Sequence, residues 1–233
     1  MKRQPRLMTT PDPGPISDPE QALAITYALR PHRAALTALF ALDATLADVL
    51  RTTSEPMLGQ MRLTWWYDAL TRLDSAPPPA EPVLSALAAT VLCEGVSGAD
   101  LAELVAGWEE LLEPDLDEAG LVRYAAERGG RLFTLTATIS GVDRPAIAPA
   151  GEGWALADLA FHVSDPALIE RARALAQVRL DGAAEADWPR AVRTLGALVH
   201  LARLDLATPV GERPAKGAPR RVARLLWHRL TGR

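Results

Sequence analysis

An arginine lies on the apolar face of the helix predicted for residues 55–70, EPMLGQMRLTWWYDAL. Pro56 suits the first turn of a helix, and apolar residues then recur with the 3.6-residue period of a helix that buries one face. At about 100° per residue, Arg62 falls beside Trp65 and Trp66 on that face. We expect the other helices to pack around this one. A buried guanidinium needs an anion, so its expected partner is a carboxylate from a neighbouring helix or a ligand such as a phosphate.

The preceding predicted helix, residues 31–51, carries an acidic residue in an equivalent position. Asp43 projects from the centre of its apolar face, which consists of Leu36, Leu39, Phe40, Ala47 and Leu50. Buried charges in proteins are normally paired, so Asp43 and Arg62 are expected to form a salt bridge that fixes the register of the two helices. The alternative is that both residues bind a ligand.

Two further segments carry residues that indicate either close packing or a ligand. Adjacent Gly129 and Gly130 interrupt a helical pattern in YAAERGGRLFTLTATISG, where each costs about 1 kcal/mol relative to alanine. They indicate the close approach of another helix or of a ligand, and both alternatives stay open. The segment GEGWALADLAFHV is apolar on nearly every side, which predicts burial on more than one face. Asp158, beside Trp154 and Phe161, is a second inward carboxylate there, or else an ordinary core or helix-edge aspartate.

These segments resemble the squalene/phytoene synthase family. The run RPHRAALTALFALDATLADVL, followed by SEPMLGQMRLTWWYDAL, is similar to the opening helices of that family, especially those of its short, diverged bacterial and mitochondrial members. The two segments of the previous paragraph, and WPRAVRTLGALVHLARLDL with a closing LTGR, resemble later family helices. The resemblance covers residues 20–233. It implies an all-α fold, a single-domain helical bundle of the isoprenoid-synthase type around a central cavity.

The resemblance also implies a chemistry from which this chain departs. Active family members join two prenyl diphosphates head to head, and two aspartate clusters hold magnesium ions against the diphosphates. Here Asp43 and Asp48 are five positions apart, so their side chains diverge by about 140° around the helix. Asp165 precedes Pro166 as a predicted helix cap, which leaves Asp158 without a second metal-binding carboxylate. We therefore expect no catalytic residue, no metal site and no cofactor, with magnesium expected only if the chain is a transferase.

The composition predicts one domain. Nearly half of the 233 residues are apolar and few are aromatic, which suits closely packed helices with a sizeable core. Cys93 is the only cysteine and the histidines are scattered, so the sequence predicts neither a disulfide nor a metal-ligand cluster and fits a reducing cytoplasm. The predicted organisation is a flexible arm without a signal peptide over 1–16, a helical domain over 17–207, a linker over 208–218 and a basic amphipathic helix over 219–233.

The last predicted helix differs in charge from the rest of the chain. It carries five arginines and no acidic residue, so the net charge of −4 for the whole chain leaves −9 for the remainder. Its apolar side could enter an anionic membrane with the arginines at head-group level, or the helix could dock on the acidic domain. The residues expected at this membrane or partner surface are Arg220, Arg221, Arg224, Trp227 and Arg229. Nucleic acid is not an expected partner of a net acidic chain.

Three functions are compatible with these patterns. Mitochondrial family members take part in building respiratory complex I, and with the aspartate clusters absent this resemblance favours a non-catalytic assembly or interaction factor. Its expected partners are a protein of respiratory-complex assembly, an isoprenoid lipid and an anionic membrane, with a cytoplasmic location at the inner face of the membrane. The alternatives are a diverged transferase that condenses prenyl diphosphates head to head and a plain helical interaction module. The expected cavity or ligand-binding residues are Asp43, Arg62, Trp65, Trp66, Gly129, Gly130 and Asp158.

Overall fold

A computed structural model describes residues 18–184 and 186–233, and in these ranges the chain forms helices and no β-strand. The predicted all-α fold is confirmed. The α-helices are α1 (Pro19–Ile25), α2 (Arg33–Arg51), α3 (Pro56–Arg72), α4 (Pro82–Thr90), α5 (Gly98–Ala102), α6 (Leu104–Glu109), α7 (Glu118–Tyr124), α8 (Arg131–Ile139), α9 (Ile147–Leu159), α10 (Pro166–Ala184), α11 (Arg193–Leu206) and α12 (Pro219–Thr231). A π-helix, Ala125–Gly130, joins α7 to α8. The predicted arm over 1–16 lies outside the described residues.

Several helices begin at residues whose side chains satisfy free backbone N–H groups. At the start of α1, the Asp18 carboxylate accepts a hydrogen bond from the backbone N–H of Glu20 (2.9 Å), and Pro19 occupies the first turn. At the start of α10, the Asp165 carboxylate accepts from the backbone N–H of Ala167 (2.9 Å). The predicted helix start at Asp165 is confirmed, because this residue caps α10 as expected.

The central helix of the bundle is α9. It packs against α8, α10, α11 and the π-helix. Trp154, Leu156 and Leu159 are buried on it at different angles around the axis, because neighbours cover it on several sides. The prediction of burial on more than one face is confirmed. The expectation that the other helices pack around α3 is wrong.

α3 lies at the edge of the bundle. It contacts α2, α5 and α6 through a face that buries Leu63, Trp66 and Leu70. Trp65, which the predicted face also included, is 48% exposed, and Met61 one turn before it is 64% exposed. A helix covered from one side buries only part of a broad apolar face, so the observed face is rotated relative to the predicted one.

α12 docks on α11 with basic and histidine side chains facing inward. Arg221 pairs with Glu20 of α1 and with Asp205 of α11, each at an N–O distance of 2.6 Å. Leu225 and His228 lie fully buried on the same side of the helix. The apolar residues left on the outer side are Val222, Leu226, Trp227 and Leu230. The helix is therefore docked, and yet its apolar side faces outward.

Candidate functional site

The guanidinium of Arg128 joins the carboxylates of Asp43 and Asp158. Asp43 extends from α2 and Asp158 from α9, while Arg128 belongs to the π-helix. Arg128 Nε and Nη2 donate to the two oxygens of Asp43, both at 2.9 Å, and Nη1 donates to Oδ2 of Asp158 at 2.8 Å. The side chains of Arg128 and Asp43 are only 4% and 6% exposed. We call these three residues the triad, and it connects three segments that are far apart in the sequence.

Three aromatic rings surround the guanidinium of the triad. Arg128 Cζ lies 4.2 Å from the centre of the Trp108 ring and 4.9 Å from that of Trp154, distances at which the face of a ring attracts a cation. Tyr124, one helical turn before Arg128, accepts a hydrogen bond from Nη1 at 2.5 Å. The guanidinium thus forms four hydrogen bonds within the protein, so it has little capacity left for a ligand.

Two glycines allow the segments around the triad to approach one another. A Cβ atom on Gly129 would lie 2.1 Å from a carbonyl oxygen of α9, and one on Gly107 would lie 2.6 Å from the backbone nitrogen of Arg128. Gly129 therefore serves a close contact between helices, which is one of the two alternatives for the glycine pair. Gly130 has more room, since the nearest atom to its added Cβ would be a side-chain carbon at 3.4 Å.

The charges of the triad stabilise one another. Burial alone would lower the pKa of Arg128, but the neighbouring oxygens, first of all those of Asp43, raise it above its usual value. Burial also opposes the ionisation of Asp158, yet His162 and Arg128 hold the pKa of this carboxyl below its usual range. Burial raises the pKa of Tyr124, so its hydroxyl stays neutral. The triad therefore combines a permanent cation with an ionised Asp158.

The expected ion pair between Asp43 and Arg62 does not form. Asp43 is buried as predicted, but Arg62 is exposed on α3 and donates hydrogen bonds to Oγ1 of Thr53 (2.6 Å) and of Thr52 (3.1 Å). The prediction fails because α3 buries the arc of its surface that contains Leu63, and Arg62 lies outside that arc.

The two adjacent tryptophans belong to α3 as well. Trp65 and Trp66 contact each other edge to face, with ring centres 5.2 Å apart. Trp66 is buried and Trp65 exposed. The rings that enclose the triad belong instead to Trp108, Tyr124 and Trp154.

The sequence interpretation missed Arg128, the residue at the centre of the site. One signal was available, because Arg128 follows Tyr124 by four positions and directly precedes the glycine pair that indicated close packing. The direction of the Arg128 side chain could not be predicted, because the residue lies in a π-helix. This helix has more residues per turn than an α-helix, so a count at 100° per residue assigns the wrong direction to the side chains in and after it.

The oxygens of the triad do not fit a magnesium site. Magnesium requires several oxygen ligands in near-octahedral geometry, whereas both oxygens of Asp43 and one of Asp158 already accept hydrogen bonds from Arg128. The guanidinium between these carboxylates would also repel a divalent cation. Nowhere in the described part of the chain do three or more His, Cys, Asp or Glu residues form a group that could hold a metal ion.

The residues predicted for a membrane or partner surface differ in exposure. Arg220, Trp227 and Arg229 are exposed on α12, and Arg224 is partly buried. Arg221 is buried in its ion pairs, so its assignment to the surface is corrected. None of the helices in the described ranges combines the length and apolar character needed to cross a bilayer.

Comparison with known proteins agrees with this architecture. The fold is an all-α bundle of the isoprenoid-synthase type. The family model described as squalene/phytoene synthase matches residues 16–178, a range that contains all three residues of the triad. The chain therefore belongs to the squalene/phytoene synthase family, as the sequence predicted. Searches of curated proteins and of solved structures found no significant match.

Proposed function

We propose that this chain is a non-catalytic member of its family that acts as an assembly or interaction factor at a membrane surface. The triad is the observation that carries the proposal. Asp43 and Asp158 lie in the two segments where the resemblance places the metal-binding aspartate clusters. In this chain a guanidinium binds both carboxylates, at 2.8–2.9 Å.

The physical argument concerns the leaving group. Departure of a diphosphate is accelerated by metal ions that neutralise its developing charge, a stabilisation of several kcal/mol. A carboxylate that is buried and bound by two charge-assisted hydrogen bonds is neutralised already, and exchanging its partner for a hydrated metal ion would break both bonds. Arg128 thus binds the carboxylate oxygens that catalysis would need as metal ligands.

α12 supports a role at a membrane. Its outer apolar residues lie opposite the buried Leu225, since at about 100° per residue Leu226 and Leu230 fall near the far side of the helix. Arg220 and Arg229 flank this apolar arc on its two sides, where lipid head groups would lie. Because the basic inner side of α12 is already bound to the domain, the outer side stays free for an anionic bilayer.

α3 supports a role in binding a protein. Met57, Leu58, Met61 and Trp65 form an exposed apolar stripe along its outer side. Methionine-rich apolar surfaces adapt to partners of varied shape, and contiguous exposed apolar patches commonly mark interaction sites. We propose that a protein partner covers this stripe, and the resemblance to mitochondrial members suggests a partner in respiratory-complex assembly. Mass spectrometry of proteins and isoprenoid lipids that co-purify with the native chain tests both expected classes of partner.

The decisive experiment for catalysis is turnover of prenyl diphosphates. The purified chain, incubated with farnesyl or geranylgeranyl diphosphate and magnesium, should release no diphosphate above background, because Arg128 binds the two carboxylates that would have to hold the metal. The variants Asp158→Asn and Arg62→Ala serve as a matched pair, since both residues are outside the fully buried core. Turnover that Asp158→Asn abolishes and Arg62→Ala preserves would overturn the proposal in favour of the transferase alternative.

Recruitment to vesicles tests the role of α12. The chain should sediment with anionic vesicles and be released by added salt, since each surface arginine contributes about 1 kcal/mol that salt screens. Leu230→Ser should weaken this binding, whereas Met61→Ser on α3 should leave it unchanged. If the two variants bind equally well, or if the chain ignores anionic vesicles, α12 is not a membrane-binding helix.

A further inference from the structure

A basic pocket of about 550 Å³ lies between α10, α11 and α12 and shares no residue with the triad. We call it the basic pocket. Its polar lining consists of Gln177 from α10, His200 and Arg203 from α11, and Arg220 and Arg224 from α12. Three of these side chains end in guanidinium groups. The pocket therefore concentrates positive charge on a chain whose net charge is −4.

Arg224 forms no ion pair with an aspartate or glutamate side chain among the described residues. Its guanidinium donates hydrogen bonds to Nε2 of His200 (2.9 Å) and to the main-chain oxygen of Arg233 (3.0 Å). Burial, and then the nearby Arg203, lower the pKa of Arg224. Burial and Arg224 in turn lower the pKa of His200 to about 3, so this imidazole is neutral at physiological pH. The cations of the pocket thus destabilise one another, and a bound anion would relieve that repulsion.

The acidic residues nearby do not neutralise the pocket. Asp181 approaches Arg203 only to 3.9 Å, and the two side chains are 56% and 40% exposed, which leaves a weak, solvent-screened pair. Asp205 on α11 is bound by Arg221, which faces away from the pocket toward α1. Arg220 is exposed at the rim, and no carboxylate of the described residues forms an ion pair with it.

We infer that the basic pocket binds a phosphate group. The planar guanidinium fork matches two phosphate oxygens at once, and in this pocket three such forks and the amide of Gln177 line one concave surface. The phosphate belongs either to a free phosphorylated molecule or to the head group of a phospholipid. The fold favours a phospholipid head group, because Arg220 and Arg224 lie on the same helix as the outward apolar arc of α12.

This inference does not depend on the loss of catalysis. Turnover of prenyl diphosphates involves the helices of the triad, whereas the basic pocket is formed by α10, α11 and α12. A catalytically active chain with a phosphate-binding basic pocket, or an inactive chain without one, would therefore separate the two ideas.

The first arm of the test is calorimetric titration of the full chain with inorganic phosphate and with diphosphate. Saturable binding should weaken about tenfold in Arg203→Gln and in Arg220→Gln, because each variant removes one charge-assisted interaction. Both residues are exposed enough for the variants to fold. Arg72→Gln on α3 removes the same charge from a distant surface and should bind as the wild type does. Equal binding by all three variants would show that the anions bind elsewhere and would overturn the inference.

The second arm uses phosphatidylcholine vesicles that carry either phosphatidic acid or cholesteryl hemisuccinate, an anionic lipid without phosphate. If the phosphate belongs to a head group, Arg203→Gln should weaken binding to the phosphatidic acid vesicles about tenfold and leave binding to the hemisuccinate vesicles unchanged. Arg229→Gln, on the other flank of α12, should weaken binding to both kinds equally. Effects in the first arm alone identify a free phosphorylated ligand. If Arg203→Gln has no effect in either arm, the inference is wrong.

Discussion

Replacing Arg128 by methionine tests whether the triad is held together by its charges. Methionine has a similar length but no charge, so Asp43 would remain buried without a cation. Removing one partner of a buried ion pair costs about 3–5 kcal/mol. The loss of the cation–π attraction to the rings of Trp108 and Trp154 adds about 1 kcal/mol. We expect the free energy of unfolding to fall by about 4 kcal/mol or more, a large part of the 5–15 kcal/mol typical of a domain.

A double variant separates the charge effect from simple loss of packing. In the double variant Asp43→Leu/Arg128→Met, both charges of the buried ion pair are removed, so no isolated charge stays buried there. Asp158 keeps its charge, but its side chain is 34% exposed and can stay hydrated. The double variant should therefore be more stable than Arg128→Met by about 2 kcal/mol or more, because buried ion pairs are replaced by apolar residues at little net cost.

The assay is equilibrium unfolding in urea followed by far-UV circular dichroism, with midpoints compared at equal m values. Arg62→Met is the matched control, since it removes the same charge from an exposed site and should change stability by less than about 0.5 kcal/mol. The reasoning is refuted if Arg128→Met costs no more than Arg62→Met, or if the effects of the Asp43 and Arg128 substitutions simply add.

Two further predictions concern packing and pH. Gly129→Ala should lower the free energy of unfolding by about 3 kcal/mol or more, because its Cβ would lie 2.1 Å from a backbone oxygen, whereas Gly130→Ala meets its first atom at 3.4 Å and should be nearly neutral in the same urea assay. In the folded chain the pKa of His200 is lowered from its ordinary value of 6.5 to about 3. The neutral imidazole therefore contributes stability that is fully present above pH 6.5 and is lost as the pH falls toward 3. Between pH 6.5 and about 5, the free energy of unfolding of the wild type should therefore fall by about 2 kcal/mol more than that of His200→Gln. Asp205, whose pKa burial raises to about 6, titrates in both proteins and acts equally in both. Parallel pH profiles of the two proteins would contradict this prediction.

The sequence by itself determined the helices, their starts and the inward direction of several side chains. Asp165 caps the helix that it was predicted to cap, Asp43 is buried, and α9 is covered on several sides. These features follow from interactions within a few residues of one another, such as a cap hydrogen bond or a 3.6-residue apolar period. The family, too, was identified from local runs of sequence in the opening helices.

Only the tertiary structure decided which charges meet. Arg62 and Arg128 are both arginines in helical segments, and their immediate sequence does not show that α3 lies at the edge while the π-helix lies against α9. The approach of Gly129 to α9 places Arg128, and not Arg62, between Asp43 and Asp158. In the same way, α12 turns its apolar side outward because Glu20 and Asp205, distant in sequence, bind its Arg221. Such choices depend on the packing of whole helices, which no local period records.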